Sequence, residues 1–442
     1  MPSRSIQPVL FLSIRYLMLL ICGSVVVVFP CQRSAAQTSS RPKSALTPEA
    51  RAEKKQQEDK QKLEQAMLRR QAFASIPPDE TSALSKEYAA AFAGYREAMT
   101  NLDEVRNRQQ LSTDPSSAIP IAIWNNWCDA MAAANDAISL WINKAGELYA
   151  SDPEKYKLMG NTLIEMLLDD VERDRFDPWL GAAKALIQAD RNIDDKIRSA
   201  AGMVGLAHSD FDFVELCWGP LQKESKLQGN QVGYMNDLPV LREKWKRELE
   251  FRQKESQKGD NPLVELMTTK GRIVLELYED SAPNAVASFI YLIENRFYDN
   301  KTFFRVEQHI CAQTGCEKGD GTGDAGYQFR GEGSLPDHRH HFRGSVAVAL
   351  GSDPNGNVNQ DSSSSQIYVT FLPMPFLDDT YTVFGRVVKG LPSINLFRVM
   401  NLADEKERKE GNKRPEEIIS AKVLRKRDHD YFPTISAGKL RR

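Results

Sequence analysis

Cysteine is scarce in this chain, six in 442 residues, so disulfides cannot stand in for a core, and a disulfide-stapled mini-protein is excluded. An excess of either charge is also missing. The 58 Lys and Arg nearly balance 60 Asp and Glu, giving −2 and removing the basic field on which nucleic-acid binding rests. The apolar run at residues 16–29 is uncharged but shorter than the roughly 20 residues a membrane-spanning helix needs. With 26 Gly and 22 Pro the composition is neither collagen-like nor wholly disordered, and its 41% hydrophobic content allows a sizeable core. At about 150 residues per domain, the length suggests two or three domains.

Arg4 and Arg15 precede the apolar run, which ends at Pro30 and is followed by Ser34, Ala35 and Ala36. A charged start, a short apolar stretch and small residues together read as a signal peptide, residues 1–36, cleaved after Ala36. The mature protein is then exported, periplasmic or secreted; contact with a membrane is expected only if this segment stays uncleaved as an anchor. Residues 37–73 are rich in Lys, Glu, Gln, Ala and Arg and read as a charged linker with helix-forming residues but no coiled-coil stripe.

Residues 74–256 carry a helical period. Leu84, Tyr88, Phe92, Tyr95 and Met99 lie on one helix face, and Trp124, Trp127, Cys128, Met131, Ile138 and Trp141 on the next. Asp152 and Pro153 read as the cap and first turn of a further helix. Two echoes 35 residues apart, at Arg175, Phe176, Asp177 and at Asp210, Phe211, Asp212, suit a hairpin or repeat-like all-α array, although the tetratricopeptide consensus is not met. All six Trp fall between 124 and 245, which reads as a packed core in preference to an exposed client groove.

Near Gly259, Asp260, Asn261 and Pro262 the period changes from 3.6 to 2, marking a boundary between two separately folding units. Two β-rich runs flank Thr269, Lys270 and Gly271 as a hairpin, and Ser281, Ala282 and Pro283 open a helix with Val286, Phe289, Ile290 and Ile293 on its buried face. Further strand-like runs at 302–306, 310–314, 345–350, 366–371, 382–388 and 417–425, and a helix after Pro392, bring the total to eight strands and two helices. This set predicts a closed barrel capped by two helices.

Residues 262–427 resemble the cyclophilin-type peptidyl-prolyl cis-trans isomerases, with 428–442 left as a C-terminal tail. The resemblance is carried in order by the hairpin 268–278; by Ala282 and Pro283; by Phe297, Tyr298 and Asp299; and by Phe303, Phe304, Arg305 and Val306. It continues through Gln313, the stretch 319–329, residues 365–369 and residues 384–387. It implies a cyclophilin-like closed eight-stranded antiparallel β-barrel with a proline site on its outer surface. The helical segment resembles no named family.

Such an isomerase breaks no bond. The amide C–N bond resists rotation with a barrier of ~18–20 kcal/mol, and a catalyst need only bind the twisted amide better than the planar one, so no metal and no cofactor is expected. The resemblance assigns catalysis to Arg305, whose permanently charged fork can hydrogen-bond the twisting amide, and substrate orientation to Gln313. It places Ile310, Cys311, Ala349, Gln366, Tyr368, Phe376, Leu377 and Tyr381 around the proline. Ile310 and Cys311 stand where the family usually has Phe and Met, Tyr368 where Phe is typical, Phe376 where many members have Trp, and Tyr381 replaces a common His. The Ile310 and Cys311 changes trim apolar wall, at about 1 kcal/mol of binding for a lost aromatic contact.

Three other groupings read more plainly. Asp337, His338, Arg339, His340 and His341 hold three of the six His and are read as a solvated polar loop, not a metal site. Asp353, Asn355, Asn357, Asn359 and Asp361 alternate like a calcium loop, but Val358 occupies the glycine position and no Glu closes it, so a turn-rich loop is expected. Cys311 and Cys316 are read as free thiols, a bond between them being the alternative.

The expected function is isomerisation of X-Pro bonds in unfolded or partly folded exported proteins. The alternatives are a proline-binding module or chaperone with little turnover, or an envelope-assembly protein holding a fixed partner through its helices. N-terminal sequencing of the protein from its native compartment should start at or near Gln37; a cytosolic chain retaining Met1 would remove the export reading.

Overall fold

The structure, a computed structural model, describes residues 82–111, 119–190, 193–353, 355–410 and 414–440. The expected signal peptide and charged linker lie outside the described residues. Among the described residues, seven helices come first: α1 (Ala83–Leu111), α2 (Ile121–Ser151), α3 (Lys157–Val171), α4 (Leu180–Ala189), α5 (Asp195–Ala207), α6 (Phe211–Lys223) and α7 (Gln231–Lys258). Among the described residues no helix is long and apolar enough to cross a membrane.

The predicted faces of α1 and α2 meet, with Tyr95 stacked on Trp141 at 4.5 Å between ring centroids and Phe92 tilted against it at 5.6 Å. Gly146 lets α2 cross α4 closely, since a Cβ there would stand 2.7 Å from the Ala182 Cα. Trp141, Trp179 and Trp218 are buried in the helical core, Trp245 packs against it, and none of the six Trp is exposed. Asp210 N-caps α6 by accepting from the Phe213 N–H at 3.1 Å, but Asp152 does not cap α3. It ends α2 instead, its carboxylate accepting from the Lys155 N–H at 3.0 Å across a turn that delays α3 to Lys157.

Beyond the left-handed Gly259 that closes α7, the chain turns to β structure. Its strands are β1 (Leu263–Thr268), β2 (Gly271–Leu277), β3 (Arg305–Glu307), β4 (Cys311–Thr314), β5 (Tyr327–Gln328), β6 (Ser345–Val348), β7 (Ile367–Thr370), β8 (Val383–Lys389), β9 (Met400–Asn401), β10 (Ile418–Arg425) and β11 (Ala437–Gly438). Helix α8 (Pro283–Glu294) buries Val286, Phe289, Ile290 and Ile293 as its period predicts; the helix expected after Pro392 is a single turn, α9 (Leu391–Ile394), and α10 spans Glu405–Glu410.

The fold is thus a helical region followed by a domain built on a curled antiparallel sheet. Its ladder differs from the expected closed eight strands. It runs β10-β1-β2-β8-β6-β7-β4-β3-β9, nine strands with no ladder joining β9 to β10; the chain preceding β3 meets the start of β10 through the isolated bridge Thr302 to Glu417 and through backbone hydrogen bonds from Asn300 to Ile418, from Ile418 to Lys301 and from Phe303 to Glu416. The extra edge strand β9 has two residues, too few to show a period of 2. The expected tail is docked up to residue 440: β11 pairs with β5, and the buried Tyr431 donates to Glu279 at 2.6 Å.

Helix α7 runs along the sheet domain and presents Lys244, Glu248, Phe251, Arg252 and Glu255 to it, positions spaced for one helix face. At the centre Arg339, with 0% of its side chain exposed, forks onto Glu248, 3% exposed, through two hydrogen bonds of 2.8 Å. A third goes to Glu255 at 2.6 Å, and the guanidinium lies 3.6 Å from the Tyr278 ring centroid. The segment 339–341 is therefore buried, correcting the expected solvated loop: the charges that satisfy Arg339 come from a helix more than eighty residues earlier and are invisible locally. Around this pair Phe342 and Leu372 join the helical core, Trp245 meets Phe342 edge-on at 4.7 Å, and Trp127 of α2 donates to the Thr269 carbonyl in the β1–β2 turn at 3.1 Å.

Burial raises the Glu248 carboxyl's pKa, but Arg339 and Arg252 outweigh it and hold the group below the ordinary carboxylate range. A depressed folded value adds stability that is complete above the unfolded carboxylate range and lost as pH falls through the folded one. Glu248→Ala, which leaves Arg339 buried and unpaired, should cost about 3–5 kcal/mol in urea unfolding at pH 7, and a paired Glu248→Leu, Arg339→Met variant should regain most of it. A single variant as stable as the parent would contradict the anchoring role.

Candidate active site

Arg305 and Gln313 are direct partners across the β3–β4 ladder, which explains their spacing of eight residues around a tight turn at Glu307 to Ile310. Arg305 is only 2% exposed. Its Nε donates to Glu307 Oε1 at 2.9 Å and its Nη1 to Gln313 Oε1 at 3.3 Å, so the guanidinium is held from two sides. Gln313 Nε2 in turn donates to Gln366 Oε1 at 3.0 Å, and Gln366 is anchored by the Gly321 and Gly323 carbonyls at 2.8 Å each. Arg305, Gln313, Gln366 and Ala349 line one cleft of about 160 Å³, whose far wall is the glycine-rich stretch 321–323.

The remaining expected proline contacts gather beside this cleft. Cys311, Ala349, Tyr368, Leu377 and Tyr381 form a buried apolar cluster with Ile310 packed against it, and Ala349 belongs to both cluster and cleft. Phe376, 36% exposed, stands outside the cluster. The structure therefore brings nine of the ten expected residues into a continuous array, Arg305 and Gln313 at the polar end and the apolar wall behind.

The family model of the cyclophilin type peptidyl-prolyl cis-trans isomerase/CLD matches residues 263–423. The peptidyl-prolyl cis-trans isomerase of Helicobacter pylori strain 26695 is 34% identical over 137 residues, covering 31% of this chain and 79% of that protein. This chain belongs to the cyclophilin-type peptidyl-prolyl cis-trans isomerases. Peptidyl-prolyl cis-trans isomerase B of Bacillus subtilis strain 168 is 36% identical over 126 residues, 28% of this chain and 82% of that one. A solved Cryptosporidium parvum cyclophilin type peptidyl-prolyl cis-trans isomerase superposes with a TM-score of 0.32 at 20% identity, covering 37% of this chain and 97% of that one.

Behind its apolar wall the isomerase holds a buried polar chain that the sequence did not reveal. The Tyr368 hydroxyl meets His341 Nε2 at 2.9 Å, His341 Nδ1 meets Asp378 Oδ1 at 2.8 Å, and Asp378 Oδ2 accepts from Lys244 of α7 at 2.7 Å. The helical region thus reaches the apolar cluster through one lysine. The only local sign was His341 itself, the last residue of the stretch read as solvated. At the other end of the wall, Asp174 receives the His309 backbone N–H at 3.0 Å and ring nitrogen at 2.6 Å, fixing the turn before Ile310.

Cys311 and Cys316 are free thiols, and burial pushes Cys311 up to about 12, leaving it an apolar wall residue. Cys316 accepts from the Gly321 and Gly323 N–H groups at 3.2 Å each, shaping the cleft's far wall. The loop around Asp353 is the expected turn structure, with Asp353 accepting from the Asn355 and Asn357 N–H groups at 2.9 and 2.8 Å.

Burial pushes the Asp378 carboxyl up, but His341 and Lys244 outweigh it and hold the group at about 2. Its contribution is complete above the unfolded carboxylate value and lost as pH falls toward about 2. Asp378→Asn should therefore lower stability by on the order of 2 kcal/mol at pH 7, with the gap to the parent shrinking between about pH 4 and 2. A pH-independent gap in urea titrations would show that Asp378 does not carry this charge linkage.

Proposed function

We propose that this isomerase interconverts cis and trans X-Pro bonds in unfolded or partly folded exported proteins by non-covalent catalysis at Arg305. As the prolyl amide twists, resonance is lost, the nitrogen becomes pyramidal and charge localises on the carbonyl and nitrogen. A cation fixed beside that amide favours the twisted form over the planar one. The observation that carries this reading is Arg305 itself: a nearly buried guanidinium at the wall of the cleft, oriented by Glu307 on one side and Gln313 on the other. Such a group spends little reorganisation at the moment of reaction. Gln313, bridging Arg305 to Gln366, is assigned to orienting the peptide, and the Ile310, Cys311, Tyr368, Leu377 and Tyr381 wall to receiving the proline ring beside Phe376. Export is supported by the signal-like residues 1–36, and the substrate class follows from it, since chains crossing a membrane arrive unfolded.

The burial of Cys311, Tyr368, Leu377 and Tyr381 favours a second reading, a proline-binding module of low turnover, because a ring entering this wall must displace neighbours.

Arg305→Ala should lower kcat/KM in a protease-coupled proline-peptide assay at least tenfold, about 1.4 kcal/mol of transition-state stabilisation, with the far-UV spectrum unchanged. Arg305→Lys should recover little, because a point charge lacks the planar fork, and Gln313→Ala should do less damage. A folded Arg305→Ala protein that turns over like the parent would sink the catalytic assignment, and an inactive parent that still binds proline peptides would leave the binding module.

A further inference from the structure

Arg339 lies in locally extended chain, bridged to Val383, and extended backbone sends alternate side chains to opposite sides. While Arg339 points to Glu248, its neighbours His338 and His340 share the other side, where they meet Asp379. One ligand atom from each of these three residues lies within 4.8 Å of the others. We propose that His338, His340 and Asp379 form a binding site for a zinc-class divalent cation, distinct from the proline site and independent of its catalytic reading.

His338 Nδ1 lies 2.6 Å from the Leu335 carbonyl, an acceptor, so this nitrogen carries the proton and the neutral ring turns a bare lone pair outward at Nε2. That Nε2 is buried and makes no hydrogen bond, yet stands 2.8 Å from Asp379 Oδ1. Two lone-pair atoms at this distance repel unless a cation sits with them, either a proton on the ring or a metal. His340 supplies what a proton would not require: a second imidazole, buried, with no hydrogen bond to either ring nitrogen among the described residues, its ring 5.1 Å from that of His338.

Two imidazoles and one carboxylate suit zinc, cobalt or nickel better than calcium or magnesium, and leave a coordination position for water. Tetrahedral bonds of about 2.1 Å place ligand atoms about 3.4 Å apart, a contraction that the Asp379 side chain, 71% exposed, can provide. The carbonyl of Leu335 then serves as the outer partner that orients a ligand histidine. Neighbouring cations are already engaged, Lys244 by Asp378 at 2.7 Å and Arg247 by the Pro336 carbonyl at 2.7 Å.

Cobalt(II) titrated into the untagged full-length protein should give one equivalent of binding with visible absorption bands of a tetrahedral site, bleached by one equivalent of zinc. His340→Gln and His338→Gln should each weaken binding at least tenfold, and Asp379→Asn, at an exposed position where folding is not at risk, should weaken it and alter the bands. Absence of cobalt bands in the parent, or equal affinity in parent and Asp379→Asn and His338→Gln variants, would overturn the site and leave His338 as a protonated partner of Asp379.

Discussion

The structure depends on one buried charge pair, Arg339 with Glu248. Neither group is stable there alone, since an unpaired ion in a low-dielectric interior costs several kcal/mol. Their mutual fork, the third bond to Glu255 and the Tyr278 face beneath the guanidinium together make the interior position tenable. Docking α7 on the sheet domain is thereby a condition for burying 339–341, and that burial places His341 behind the apolar wall at Tyr368. The helical region is in this sense part of the active-site scaffold: Lys244 reaches the wall through Asp378, and Asp174 fixes the turn before Ile310.

What the sequence made legible follows from periodicity and local chemistry. The β1–β2 hairpin and α8 appeared where alternation and the i, i+3, i+4 pattern placed them, because each buries one face against a core within its own domain. Arg305 and Gln313 were legible through their family resemblance, and the ladder supplies the physical reason for their spacing. The charged face of α7 was not legible. Lys244, Glu248, Arg252 and Glu255 repeat like a solvated surface, and only partners from residues 339 and 378 convert that stripe into an interface. For the same reason the histidine-rich segment read as solvated, and β9 was too short to leave a pattern.

A prolyl isomerase needs a site wall that holds its shape while the substrate amide rotates. Here the polar end of the site is fixed within the sheet domain by Glu307, Gln313 and Gln366, whereas its apolar end is braced from outside by Lys244 and by Asp174. Stability of the helical region and competence of the site are then one property, although the change of period near Gly259 reads as a boundary between independent units. All six Trp lie between residues 124 and 245, so their fluorescence reports the helical region and, through Trp127 and Trp245, its contact with the sheet domain, while proline-isomerase turnover reports the sheet domain. The direct measurement is a urea titration of the full chain followed by both signals. This account predicts coincident midpoints; turnover persisting after the tryptophan signal has unfolded would contradict it.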